Sequence, residues 1–190
     1  YTLGLGIILS LNMMISTVHF GILVGVYFVA SLLQYFMLKL GVEDYEYEEG
    51  SSRYFAFMFL FSTIMLISAL WFHTQTGSWN YGTVAKYYAK HAWNIKDIMA
   101  FAGILLPLLF MMGLAPLHFC KIELSGLSIL PVCMLNNLLP LVASYAVLLC
   151  LLTDVFASMQ AVYLPFLQIV AIVSLLWGAC LLYTSPSPRD

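Results

Sequence analysis

Charge is what this chain has least of. Over 190 residues it holds seven Lys and Arg and nine Asp and Glu, 8% in all, where a soluble domain carries roughly a quarter. Hydrophobic residues make up 63%, so the chain is read as an all-α polytopic membrane protein rather than a water-soluble domain. The few charges are clustered. Glu43, Asp44, Glu46, Glu48, Glu49 and Arg53 form one patch, and Lys86, Lys90, Lys96 and Asp97 another. Basic residues this sparse make no groove for a phosphate backbone, which excludes nucleic acid as a partner. The four cysteines, Cys120, Cys133, Cys150 and Cys180, form no C-x-x-C or C-x-x-H pattern and read as small apolar filler. No G-x-G-x-x-G, iron–sulfur cysteine set or flavin signature is present, so no cofactor site, metal site or catalytic residue is assigned to the chain. His19, His73, His91 and His118 lack metal-ligand spacing. No cleavable presequence is visible, a weak observation in a chain that opens on Tyr1.

Residues 1 to 38 contain no Asp, Glu, Lys or Arg. As one helix that run would be nearly twice the roughly 30 Å hydrocarbon thickness, so two spans are expected, broken at "STVHFG". Six spans are read in all, at about 1–19, 21–39, 54–72, 98–114, 124–152 and 161–182. The acidic segment "VEDYEYEEGSSR" is too polar for lipid. The Trp- and Tyr-rich segment between Phe72 and Ile98 suits the headgroup level, with a short surface helix around 82–92. Pro107, Pro131, Pro140 and Pro165 are read as kinks or breaks. Because freed carbonyls survive only inside protein or at a water-filled cavity, the fourth and fifth spans are expected inside a bundle. Basic residues divide almost evenly between the two sides and give no orientation; an even number of spans puts both ends on one side. Residues 1–183 thus read as one membrane domain. The end "CLLYTSPSPRD" resembles a translated sequencing-adapter tail that recurs in unrelated transcript-derived sequences, so the chain from about Cys180, and residues 184–190 above all, is taken as non-native.

"MMGLAPLHFCKIE", residues 111 to 123, gathers a Gly, a Pro, a His, a Lys and a Glu at the end of an apolar helix. One reading is a helix end meeting water. The other places His118 and Glu123 in an ion or proton path, apt for a histidine whose ordinary pKa is about 6.5. "GLAPLHFCKIE" resembles the "GLAPFHFWVPE" signature of the antiporter-like membrane-arm subunits of respiratory complex I, most of all those of the mitochondrial chain 2 type. "EGSSRYFAFMFLFSTIMLISALWFHTQTGSW" resembles that type's "EAAIKYF", apolar span and "SGQW"-like loop, and "SGLSILPVCMLNNLLPLVA" resembles its "QGTPL" and "WQKLAPIS" stretch. Order and spacing agree from about residue 16 to residue 150.

The resemblance implies a fourteen-helix core, shorter by three in animal mitochondria, of which this chain supplies about six. It leaves open whether a second fragment supplies the rest. It implies an inner-mitochondrial-membrane location, other membrane-arm subunits and lipids as partners, and FMN and iron–sulfur clusters held elsewhere in the complex. It also places the family's pumping Lys, second Lys and Glu at Met111, Asn137 and Phe28, where no charge remains. Of the remaining polar groups, Asn137 could order water. His118 and Glu123 could relay protons or only anchor the loop, and Glu49 with Arg53, matching the "EAAIK" pair, reads as an exposed i, i+4 salt bridge. The competing readings are a free-standing cation/proton antiporter, which needs a mid-span charge, and a purely structural membrane subunit.

Overall fold

In lipid a backbone must satisfy its own hydrogen bonds, and a chain this poor in charge does so as helices. The computed structural model describes residues 2–39, 45–121 and 130–184. Their helices are α1 (Thr2–Ser16), α2 (Phe20–Lys39), α3 (Tyr45–Thr76), α4 (Tyr81–Tyr88), α5 (Ile95–Met112), α6 (Leu130–Cys150) and α7 (Gln160–Thr184). A π turn, Leu151–Val155, and a short 3-10 turn, Ala157–Met159, join α6 to α7. Five stretches are long and apolar enough to cross a membrane, Phe20–Lys39, Glu49–Thr76, Ile95–Met112, Val132–Val155 and Ala157–Cys180, the last two taking in the turns between α6 and α7, whereas α1 is apolar but only 15 residues long.

The long helices alternate in direction. α3 packs on α2 and α5, α1 on α2 and α6, and α6 on α5, so five helices close into a ring. The ring has two chemically different ends. At one, the α1–α2 break lies against the loop before α4: Phe20 N–H donates to the Trp79 carbonyl and Tyr81 N–H to the Val18 carbonyl, each at 3.0 Å. Here Phe156, buried, touches Phe20, Phe72, Trp93 and Phe101 with centroids 4.7 to 6.4 Å apart, an aromatic plug that closes this end of the ring. The other end holds the start of α3, the "GLAPLH" turn and the start of α6.

α3 runs past both ends of the expected span at 54–72, and its 32 residues make about 48 Å of helix, longer than the hydrocarbon core, so its acidic start projects beyond it. Two expectations shift. The surface helix is shorter than 82–92: α4 stops at Tyr88, and Lys90 and His91 N–H groups both turn back to the Tyr87 carbonyl. Pro107, Pro140 and Pro165 lie inside continuous helices rather than at breaks, as membrane helices tolerate when neighbours and hydroxyls re-satisfy the backbone. Pro131 sits in the first turn of α6, where its missing N–H has no intrahelical partner anyway. The fourth expected span, α5, is the most enclosed, 61% of its span buried against 6% for α7.

Candidate functional site

α5 ends because Gly113 adopts the left-handed conformation (φ 75°, ψ 35°). Its N–H donates to the Leu109 and Phe110 carbonyls, and Leu114 N–H to Leu109, which reverses the chain. Only glycine suits the turn twice over. A Cβ there would also stand 2.9 Å from Lys121 Cδ, because Lys121, leaving the following turn, folds back beneath it. The Lys121 ammonium donates to the Met111 carbonyl, one of the carbonyls a helix end leaves without an intrahelical partner. Lys121 is 7% exposed, and burial pulls its ammonium down from 10.5 to about 8. On the helix-end reading of "GLAPLHFCKIE" this lysine meets water; in the fold it is enclosed.

The interior at this end is polar. Gln34 lies on the buried stripe of α2 with Ser31 and, nearer mid-height, Tyr27, while Ser51 and Tyr54 of α3 and Asn136 of α6 are buried too. Tyr54 Oη donates to Gln34 Oε1 at 3.2 Å. Tyr27 Oη lies 3.2 Å from the Pro107 carbonyl and 3.3 Å from Met58 Sδ. Gln34 Nε2 and Asn136 Oδ1 are buried and have no hydrogen-bond partner among the described residues, and a donor and an acceptor of this kind can order water. Toward mid-height the buried side chains are mainly apolar, Met58, Met65, Ile104 and Leu108 among them, and the buried hydroxyls of Ser62, Ser68 and Ser144 each donate to a carbonyl of their own helix.

Of the residues singled out from sequence, Met111 is fully buried. Phe28 instead faces an outward groove, edge-on to Phe59 at 6.0 Å. Asn137 is half-buried and donates to Cys133 Sγ at 3.3 Å, while its neighbour Asn136 is the buried amide. His118 packs edge-on to Trp177 of α7 at 5.2 Å. Its Nδ1 is buried with no hydrogen-bond partner among the described residues. Ala115 N–H donates to Ser174 Oγ at 3.1 Å, a second tie between this turn and α7. Glu123 lies outside the described residues. Glu49 and Arg53 meet at 2.5 Å with both side chains about half exposed, a pair worth a few tenths of a kcal/mol. No three His, Cys, Asp or Glu side chains among the described residues gather as metal ligands. Sequence reasoning missed Lys121, Gln34, Tyr54 and Asn136. The available signal was Tyr27, Ser31 and Gln34 at i, i+4 and i+7 of an uncharged span, one helical face.

The other buried charge among the described residues, Asp97, sits at the aromatic end. Its Oδ1 accepts from Trp71 Nε1 and Tyr88 Oη, both at 2.8 Å, and its Oδ2 from Asn94 N–H at 3.0 Å. Burial, then the hydrogen bond to Asp97, pushes the Tyr88 hydroxyl well above its ordinary value. Three donors hold this carboxylate at the N-terminus of α5, joining α3, α4 and α5.

Residues 20–184 match the model of the family described as NADH:quinone oxidoreductase/Mrp antiporter, transmembrane. No curated protein matches. Among solved structures, a chain of respiratory complex I from Thermus thermophilus, in a structure with bound aureothin, is similar at 25% identity with a TM-score of 0.69. The match covers 78% of this chain and 33% of the solved one, so the chain spans about a third of that relative's length. The all-helical ring, its glycine-ended fourth long helix and the family match over most of the length agree: this chain belongs to the NADH:quinone oxidoreductase/Mrp antiporter transmembrane family.

Proposed function

We propose that the chain is a membrane-arm subunit of respiratory complex I, of the chain 2 type and in the mitochondrial inner membrane, and that it supports proton translocation without carrying a complete proton route of its own. Its partners on this reading are other membrane-arm subunits, and the redox groups of the complex lie elsewhere. The observation that supports it is the uneven interior: amides, hydroxyls and the Lys121 ammonium at the "GLAPLH" end, then mainly apolar side chains with serine hydroxyls bonded to their own helices, and an aromatic plug beyond. A proton route needs groups that take up and release protons along the whole height of the bundle, or water that links them. The positions that the resemblance gives to the family's charges are Met111, Asn137 and Phe28, none of them ionisable. Family membership also spans stand-alone antiporters, but such a transporter needs a charge at mid-span, and the charged side chains of the described spans sit in their end turns.

The test is the number of protons moved per NADH oxidised, compared between coupled membranes containing this chain and those of a species whose corresponding subunit keeps its lysines. A lower ratio is expected here. Equal ratios would overturn the reading. Cation-driven proton movement by the purified chain in liposomes would replace it with the antiporter reading.

A further inference from the structure

Two grooves open outward from the spanning helices, and they differ in one charge. The groove between α3 and α5 holds about 340 Å³ and is lined by Ile64, Ile67, Ser68, Met99 and Gly103, with Trp71 and Lys96 at one end. It exists because Gly103 has no side chain. A Cβ there would stand 2.1 Å from Ser68 Oγ, so α3 and α5 approach closely at this level and leave a furrow along their seam. Ile67 and Met99 are 67% and 69% exposed and would face hydrocarbon.

The charged end is at the aromatic level of the bundle. Lys96 Nζ lies 5.8 Å from the Trp71 ring centroid, and Trp71 is itself held by its indole bond to Asp97. The Asp97 carboxylate is turned inward and saturated by Trp71, Tyr88 and Asn94. Among the described residues no carboxylate pairs with Lys96, so its charge is available outward. The groove between α2 and α3 has a similar volume, about 360 Å³, lined by Val24, Phe28, Phe59, Ser62, Thr63 and Leu66 among others, with no charged side chain.

We propose that the α3–α5 groove binds one anionic phospholipid of the surrounding membrane, an acyl chain lying along Ile64, Ile67 and Gly103 and the phosphate held by the Lys96 ammonium. The furrow's chemistry runs apolar to cationic in the order of a lipid from tail to headgroup. The α2–α3 groove, lacking a cation, takes acyl chains without headgroup preference.

The experiment is native mass spectrometry of the full chain released from micelles containing phosphatidylcholine and phosphatidylglycerol with identical acyl chains. One retained phosphatidylglycerol is expected, favoured about fivefold over phosphatidylcholine, the preference one interfacial lysine supplies. Lys96→Gln should abolish the preference, and Ile67→Trp, filling the furrow from an exposed position, should lose the retained lipid. Phe28→Trp, in the uncharged groove, should leave the preference intact. Equal retention of both lipids by the native chain, or an unchanged preference in Lys96→Gln, overturns the proposal. So does a photo-crosslinker at Met99 that captures a polypeptide instead of lipid in native membranes.

Discussion

Lys121 shows how a single side chain changes meaning once the chain is folded. In the sequence it stands three residues before the next expected span, within a segment whose neighbours Cys120 and Ile122 are uncharged. Nothing local distinguishes a surface lysine from one that folds back ten residues to the Met111 carbonyl. The long, flexible stem makes both available, and the choice is made by the Gly113 turn, a tertiary feature. The buried amine leaves a thermodynamic mark with a definite sign. Its pKa is about 8 when folded and 10.5 as the ordinary value, so between those pH values the unfolded chain holds more protons and stability rises with pH. Below about pH 8 both states are charged and the contribution is flat. Denaturant unfolding of the chain in detergent should therefore show a rise in stability from pH 8 to 10.5 that is missing in Lys121→Met. Parallel pH profiles for the two proteins would show that the amine is not desolvated. His118 was legible as a residue of interest from its motif, but its packing on Trp177 was not, because that partner lies 59 positions away.

At the scale of elements, the apolar helices were legible because hydrophobic runs and hydrocarbon thickness constrain one another, although five rather than six of them are long enough to cross, α1 being the short one. The α1–α2 break at "STVHFG" and the end of α2 at Lys39 follow from local polarity. The prolines were read as kinks or breaks, and no break occurs at Pro107, Pro140 or Pro165, because steric rules drawn from water-soluble helices overstate the break in a spanning helix. In α6, Pro140 leaves the Asn136 carbonyl without its helical donor, yet the helix continues to Cys150. The closeness of α3 and α5 was also illegible, since one Gly among apolar residues carries no pattern. It is nevertheless the tightest seam that a glycine makes in the described residues, with Ser68 Oγ where a Cβ at 103 would be. Gly103→Ala should destabilise the chain by about 1–3 kcal/mol, the range for overpacking. Ser68→Ala alone should do little, and Gly103→Ala with Ser68→Ala should recover part of the loss, leaving the 3.3 Å approaches to Ser68 Cβ and Ile64 Cγ2. A double-mutant cycle by denaturant unfolding reads this directly; additive effects would mean the two positions do not share the strain.

For the molecule as a whole, the alternation of helices sorts every polar segment to one of two sides. α3 carries the chain from the Glu49 end to the Trp79 end, α5 returns it to the "GLAPLH" turn, α6 brings it back to Asp154, and α7 crosses once more. Glu49 and Arg53 therefore lie on one side with the Gly113 turn, while Lys86, Lys90, Lys96 and Asp154 lie on the other. The sequence could not orient this arrangement, because basic residues occur on both sides and the positive-inside bias has nothing to act on. The sidedness itself is testable without knowing which face is which. In a background where Cys120, Cys133, Cys150 and Cys180 are replaced, single cysteines at Glu49, Lys86 and Asp154 are exposed to a membrane-impermeant maleimide in sealed vesicles. Lys86→Cys and Asp154→Cys should label together, and Glu49→Cys should label only when the vesicles are opened, or the reverse in vesicles of opposite orientation. Because α3 separates Glu49 from Lys86 with 28 apolar-rich residues from Glu49 to Thr76, joint labelling of all three would require α3 to lie outside the membrane. The ring of five helices could then not be the membrane domain of this protein.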